Sequence, residues 1–192
     1  MPKKQIKLKK KKKKWYSILA PVSFGKKEIG EAYVSAPSNL IGKKVRINLY
    51  SLARTRNSNI RITFEVKGIE EEKGMTELIS YELLFGYIKR IVKKNRSKIN
   101  ISEKIKSKDG LLLTKYIIIT KNKVQRGILT TINKKAKELF AEYFKDKPSD
   151  KIFDNVINYA VQKEMRDKLK KIYPLSNVEI RFLKKIEEKK EE

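Results

Sequence analysis

The sequence predicts an α+β fold: a mainly antiparallel sheet with helices packed in the C-terminal half. Three observations carry that expectation. Apolar residues recur at every second position in several short stretches before residue 120. Spacing of three and four dominates from about residue 130 to 170. No regular strand–helix–strand alternation links the two regions, which argues against a parallel α/β sheet. The 192 residues suit one domain with appendages: a disordered basic tail over 1–14, a body over 15–186 and a charged tail over 187–192.

Order is expected to begin at Trp15 and Tyr16. Either ring could stack on bases, as in single-strand binders, but Trp15 is expected to close the core, because indoles usually bury most of their area, while Tyr16 is left open between the two roles. Val45, Ile47 and Leu49 alternate with Arg46, Asn48 and Tyr50, and Ile60, Ile62, Phe64 and Val66 alternate with Arg61, Thr63 and Glu65. That period of two places one face on a core. The polar stretch from Ala53 to Asn59 suits a connection between these strands. After an acidic turn at Glu70–Gly74, the residues Leu78, Tyr81, Leu84, Phe85, Ile88, Ile91 and Val92 follow helical spacing. Two strands, Ile99–Lys106 and Leu111–Thr120, flank Asp109-Gly110, a hairpin signal. Ile132, Ala136, Leu139, Phe140 and Tyr143 form a helical stripe. Pro148-Ser149-Asp150 starts another helix, with Ser149 or Asp150 as N-cap, whose apolar face continues to Leu169. A last strand alternates Val178, Ile180 and Phe182 against Glu179, Arg181 and Leu183.

Charge narrows the function. The chain has 48 Lys and Arg against 22 Asp and Glu, a formal net charge of +26. Residues 1–14 contribute +9, residues 15–150 contribute +14 and the remainder only +3. Such an excess opposes compaction unless a polyanion neutralises it, and a basic body behind a basic tail points to RNA. A membrane surface is disfavoured, because no amphipathic helix carries the Lys run. No apolar run reaches the ~20 residues of a membrane span, so the protein is read as cytosolic. With no Cys and no His, disulfides, thiolate chemistry, Cys/His zinc sites and imidazole catalysis are excluded. No cofactor is expected.

Several stretches, in order, resemble one family. They are Lys13-Lys14-Trp15-Tyr16-Ser17-Ile18-Leu19-Ala20-Pro21, Ile29-Gly30-Glu31, Leu40-Ile41-Gly42-Lys43-Lys44-Val45, Gly86-Tyr87-Ile88-Lys89-Arg90, Ser107-Lys108-Asp109-Gly110-Leu111-Leu112-Leu113 and Ile172-Tyr173-Pro174-Leu175-Ser176-Asn177-Val178. The ordered set is similar to the archaeal and eukaryotic small-subunit ribosomal protein family S-three-a-e (eS-one), and departs from it at Thr114-Lys115, where an Arg is expected. The resemblance implies a barrel-like sheet with packed helices. It also implies a place on the platform of the small subunit near the messenger exit. The partners would be small-subunit rRNA, neighbouring small-subunit proteins and messenger RNA near the exit.

The RNA-binding candidates are cations outside the apolar stripes. Lys9, Lys10, Lys11, Lys12, Lys13 and Lys14 can release counterions from phosphates, against the alternative of a solvated tail. Lys43 and Lys44 precede a strand. Arg54 and Arg56 sit in a polar connection, where guanidinium forks suit phosphates. Lys93, Lys94 and Arg96 follow a helical pattern, where pairing with the helix dipole is the competing explanation. Lys121, Lys123 and Arg126 occupy the next connection, and Lys134 and Lys135 the helix after it. Aromatics make up 9% and mostly lie on apolar stripes, which favours backbone and shape recognition of folded RNA. Two alternatives are a free RNA-binding or RNA-chaperone protein and a magnesium-dependent nuclease. For the latter, Glu65, Glu77, Glu82, Asp109 and Asp150 show no metal-ligand spacing.

Overall fold

The computed structural model describes residues 12–53 and 58–186. Among the described residues, eight strands and five α-helices form an α+β arrangement with a mixed sheet. The chain falls into two compact units, one of residues up to Arg46 with Phe64–Leu78, the other of Ile47–Thr63 with Ile79 onward.

In the first unit, β1 (Lys14–Leu19) pairs antiparallel with β2 (Glu28–Val34), with Trp15 opposite Tyr33 and Ile18 opposite Gly30. The inward parity of β1 carries Ile18, which packs with Val34, Leu40 and Val66, and Ala20 just beyond the strand is also buried. Trp15 has the other parity and lies 66% exposed, so the expectation that it closes the core is overturned by the strand's own alternation. The strands β3 (Lys44–Asn48), β4 (Ile60–Glu70) and β5 (Lys73–Leu83) are each divided between the two units, and β4 pairs with β3 and β5. The β4–β5 turn is the expected acidic one. Glu71 and Glu72 both take positive φ, 47° and 62°, the pattern of a two-residue turn whose twist matches its strands. At Gly74, where β5 crosses the core, a Cβ would meet Val66 Cγ1 at 3.2 Å, a tight contact that Val66 would have to yield to.

Several element boundaries differ from the sequence reading. The strand through Tyr50 stops at Asn48, whose Oδ1 accepts the Tyr50 N–H at 3.0 Å and whose Nδ2 donates to the Ser58 carbonyl at 2.8 Å. Leu49–Ala53 then forms the short helix α1. The helix expected from Leu78 is a strand as far as Leu83, and only Phe85–Ile91 is helical, as α2. Leu78, Ile79, Ser80 and Tyr81 are buried in succession. With both faces covered, the period of two disappears and the apolar positions imitate helical spacing.

In the second unit, β6 (Lys98–Ser107) and β7 (Gly110–Thr120) form an antiparallel hairpin, in register from Lys98 opposite Ile119 to Ser107 opposite Gly110. Its two loop residues are Lys108 and Asp109. β8 (Leu175–Ile186) runs antiparallel to β7 and, through Phe182–Lys184, to β5. Against β7, Lys115 faces Phe182 while Tyr116 faces Ile180, so Arg181 is the extra residue of a bulge. The bulge switches the inward parity from Val178 and Ile180 to Leu183, which is buried where solvent was expected. α3 (Arg126–Lys145) buries Ile132, Ala136, Phe140 and Phe144, and stacks Phe140 on Tyr116 with ring centroids 4.0 Å apart. The helix expected to run on to Leu169 is two, α4 (Ser149–Ile157) and α5 (Ala160–Leu169), broken at Tyr159 with φ +64°.

The sheet path runs β2-β1-β5-β8-β7-β6, with β3 and β4 joined to it through β5. The β1–β2, β5–β8, β6–β7 and β7–β8 pairs are antiparallel, and β1–β5 is parallel. The barrel implied by the resemblance is not closed by the pairings of the described residues: β1 meets only Gly74 and Met75 of β5 before β8 takes over at Ser80. β6 ends the path, where α3 packs.

Candidate nucleic-acid interface

The second unit gathers cations from two separate connections, α2–β6 and β7–α3, at one end of β6, β7 and β8. The hinge of this arrangement is Thr120, fully buried at the end of β7. Its N–H donates to the Ser97 carbonyl at 3.0 Å, and its Oγ1 accepts the Ser97 N–H at 3.0 Å and lies 2.6 Å from the Asn122 carbonyl. Ser97 Oγ in turn accepts the Val124 N–H at 3.0 Å. The Lys121 N–H donates to the Pro174 carbonyl at 3.0 Å, and Arg96 Nη1 to Ser176 Oγ at 2.7 Å. These bonds fix the backbone, and the side chains of Lys93, Lys94, Lys121, Lys123 and Arg126 are left exposed around it.

Arg126 opens α3, a 20-residue helix with no acidic residue in its first turn and no side-chain cap at Gln125. A cation at the positive end of a helix is unfavourable by roughly 0.3–1 kcal/mol, and the first-turn N–H groups lack intrahelical acceptors. Both features become favourable once a phosphate lies across this end. Lys98, exposed at the start of β6, stands at the same end and was not among the sequence candidates. Its signal was there to read, two residues after Arg96.

The other candidates are placed differently. Lys134 and Lys135 are exposed on α3, and Lys135 pairs with Glu138 at 2.9 Å. In the first unit, Lys12 and Lys13 lead exposed into β1, where Lys14 is its first residue, and Lys13 Nζ sits 5.8 Å from the centre of the Tyr33 ring. Lys43 and Lys44 are exposed at the head of β3, where Lys44 reaches Glu65 at 3.8 Å. Lys9, Lys10, Lys11, Arg54 and Arg56 lie outside the described residues, as do most of the tail over 1–14 and all of that over 187–192.

Three of the acids considered for metal chemistry have other partners. Glu65 stands between Lys44 and Lys67, Asp109 accepts the Ser149 N–H, and Asp150 meets Lys185 at 2.8 Å. Among the described residues no three Asp or Glu side chains gather as a metal site.

The chain matches the model of the Ribosomal S3Ae family over residues 2–189. Three relatives carry the name small ribosomal subunit protein eS1. That of Desulfurococcus amylolyticus is 30% identical over 185 residues, 91% of this chain and 83% of the relative. That of Saccharolobus solfataricus is 30% identical over 185 residues, covering 91% and 85%. That of Methanobrevibacter smithii is 28% identical over 172 residues, covering 88% and 89%. With a family match spanning nearly its whole length, this chain belongs to the Ribosomal S3Ae family.

Proposed function

We propose that this protein is a structural, non-enzymatic constituent of the small ribosomal subunit, working in the cytoplasm as part of the ribosome. Its partners are the small-subunit rRNA and neighbouring ribosomal proteins. The family match over residues 2–189 carries the reading. The physical side of it is charge: a +26 chain is stabilised by a polyanion that neutralises its repulsion. The exposed cations at the β6–β7–β8 end and the open N-terminus of α3 form the surface we assign to rRNA phosphates. Lys43, Lys44, Lys134 and Lys135 are assigned to the same role with fewer neighbours in support. A position on the platform beside the messenger exit is the finer part of the proposal and follows from the family resemblance. Sedimentation tests the function. Tagged protein should travel with small subunits and stay at about one copy per particle after a high-salt wash, which removes purely electrostatic associates. Loss of the protein in that wash would identify a free RNA-binding protein instead.

A further inference from the structure

The pair of rings at Trp15 and Tyr33 is not explained by rRNA neutralisation. They face each other across β1 and β2, with centroids 5.2 Å apart and planes inclined by 41°. Trp15 is 66% exposed and Tyr33 52%. An indole left this far in water is unusual, since Trp is on average strongly buried. The hairpin does not need it. The opposite face of β1 is anchored by Ile18 in the core, and its far end pairs with Gly74 and Met75.

Chemistry favours one occupant. Lys13, exposed and of the same strand parity as Trp15, places its Nζ 5.8 Å from the Tyr33 centroid and caps that ring, whereas Lys14 has the parity of Ile18. Trp15 is therefore the ring with area to spare. Two residues further along this face, Ser17 stands opposite Glu31, which would repel phosphates and so confines a polyanion to the Lys end. A flat π surface beside an ammonium group matches a nucleotide, with base on ring and phosphate on Lys. Bases within a duplex are already stacked, so the base must be unpaired.

We propose that Trp15, buttressed by Tyr33, is a stacking platform for an unpaired RNA base whose phosphate is held by Lys13 on the same face. This rests on the RNA-binding reading above and adds to it a single-stranded target and a base contact.

Trp15 is the only tryptophan in the chain, so its emission reports this site alone. The full chain is titrated with a single-stranded oligoadenylate and with an RNA duplex of equal length. Emission should be quenched by the single strand and little affected by the duplex. Trp15→Ala should weaken single-strand binding roughly tenfold without changing the slope of log affinity against log salt, and Trp15→Phe should restore most of the loss. Single-strand binding with unquenched emission, or with unchanged affinity in Trp15→Ala, would overturn the platform and leave phosphate binding standing. No binding to either RNA would overturn both readings.

Discussion

Glu179 on β8 is 2% exposed, and its Oε1 accepts hydrogen bonds from the Tyr159 hydroxyl at 2.6 Å and the Tyr87 hydroxyl at 3.3 Å. Burial raises its carboxyl above the ordinary value of 4.5, because desolvation outweighs the two hydroxyl bonds and the nearby Arg166 charge, which act the other way. Burial also pushes the Tyr159 and Tyr81 hydroxyls up, and the charge of Glu179 adds to it. The folded chain thus binds the Glu179 proton more tightly than the unfolded chain. Its stabilising contribution is full below about pH 4.5 and is lost as pH rises through the higher folded value. Glu179→Gln keeps an acceptor for both hydroxyls and carries no charge. Denaturant midpoints measured from acid to neutral pH should show the wild type losing stability relative to the variant as pH rises, with the variant equal or more stable at pH 7. Parallel curves would mean that Glu179 is ionised in the fold at no cost.

At the next scale, elements are held by residues distant in sequence. The first N–H of α4, at Ser149, donates to Asp109 Oδ2 at 2.9 Å, so the cap comes from the β6–β7 loop 40 residues upstream. Ser149 and Asp150, expected as caps, are helical residues, and the flanking position belongs to Pro148. Asp109→Ala should therefore cost about 1 kcal/mol, in the usual range for removal of a cap, and hydrogen exchange should quicken at the start of α4 and not in α5. The hairpin itself was legible, because Asp109-Gly110 separates two alternating runs; what Asp109 does was not, because its partner is tertiary. Likewise β4 and β6 alternate cleanly and are readable from the sequence alone. β5 escapes such a reading where burial on both faces erases its period. The inward turn of Leu183 depends on one bulged residue, Arg181, whose presence only the register against β7 reveals. Tyr159, which breaks the last helical stretch in two, is no helix breaker by residue type.

For the whole molecule, +26 of charge suffices to make RNA the expected partner, and the cations are legible as basic connections between apolar stripes. Their convergence is not. Arg96 and Lys121 are 25 positions apart and are neighbours only because Ser97 and Thr120 bond across the β6–β7 end. Net charge alone would attract RNA to any face, so the effect of the gathered cations must be separated from that of the total. Replacing Lys93, Lys94, Lys121, Lys123 and Arg126 by Gln removes five positive charges at the gathered end. Replacing Lys106, Lys108, Lys145, Lys151 and Lys163, all exposed, removes five elsewhere. Both variants should keep or raise the thermal midpoint of the free protein, because each relieves repulsion and the first also clears a cation from the start of α3. Only the first should flatten the plot of log affinity against log salt, by about 0.7–0.9 for each phosphate that is no longer neutralised. Its affinity should fall by a similar factor across RNA sequences, as expected where side chains position the RNA and do not read its bases. Equal flattening in the two variants would mean that the protein meets RNA through its overall charge and that the β6–β7–β8 end is no interface.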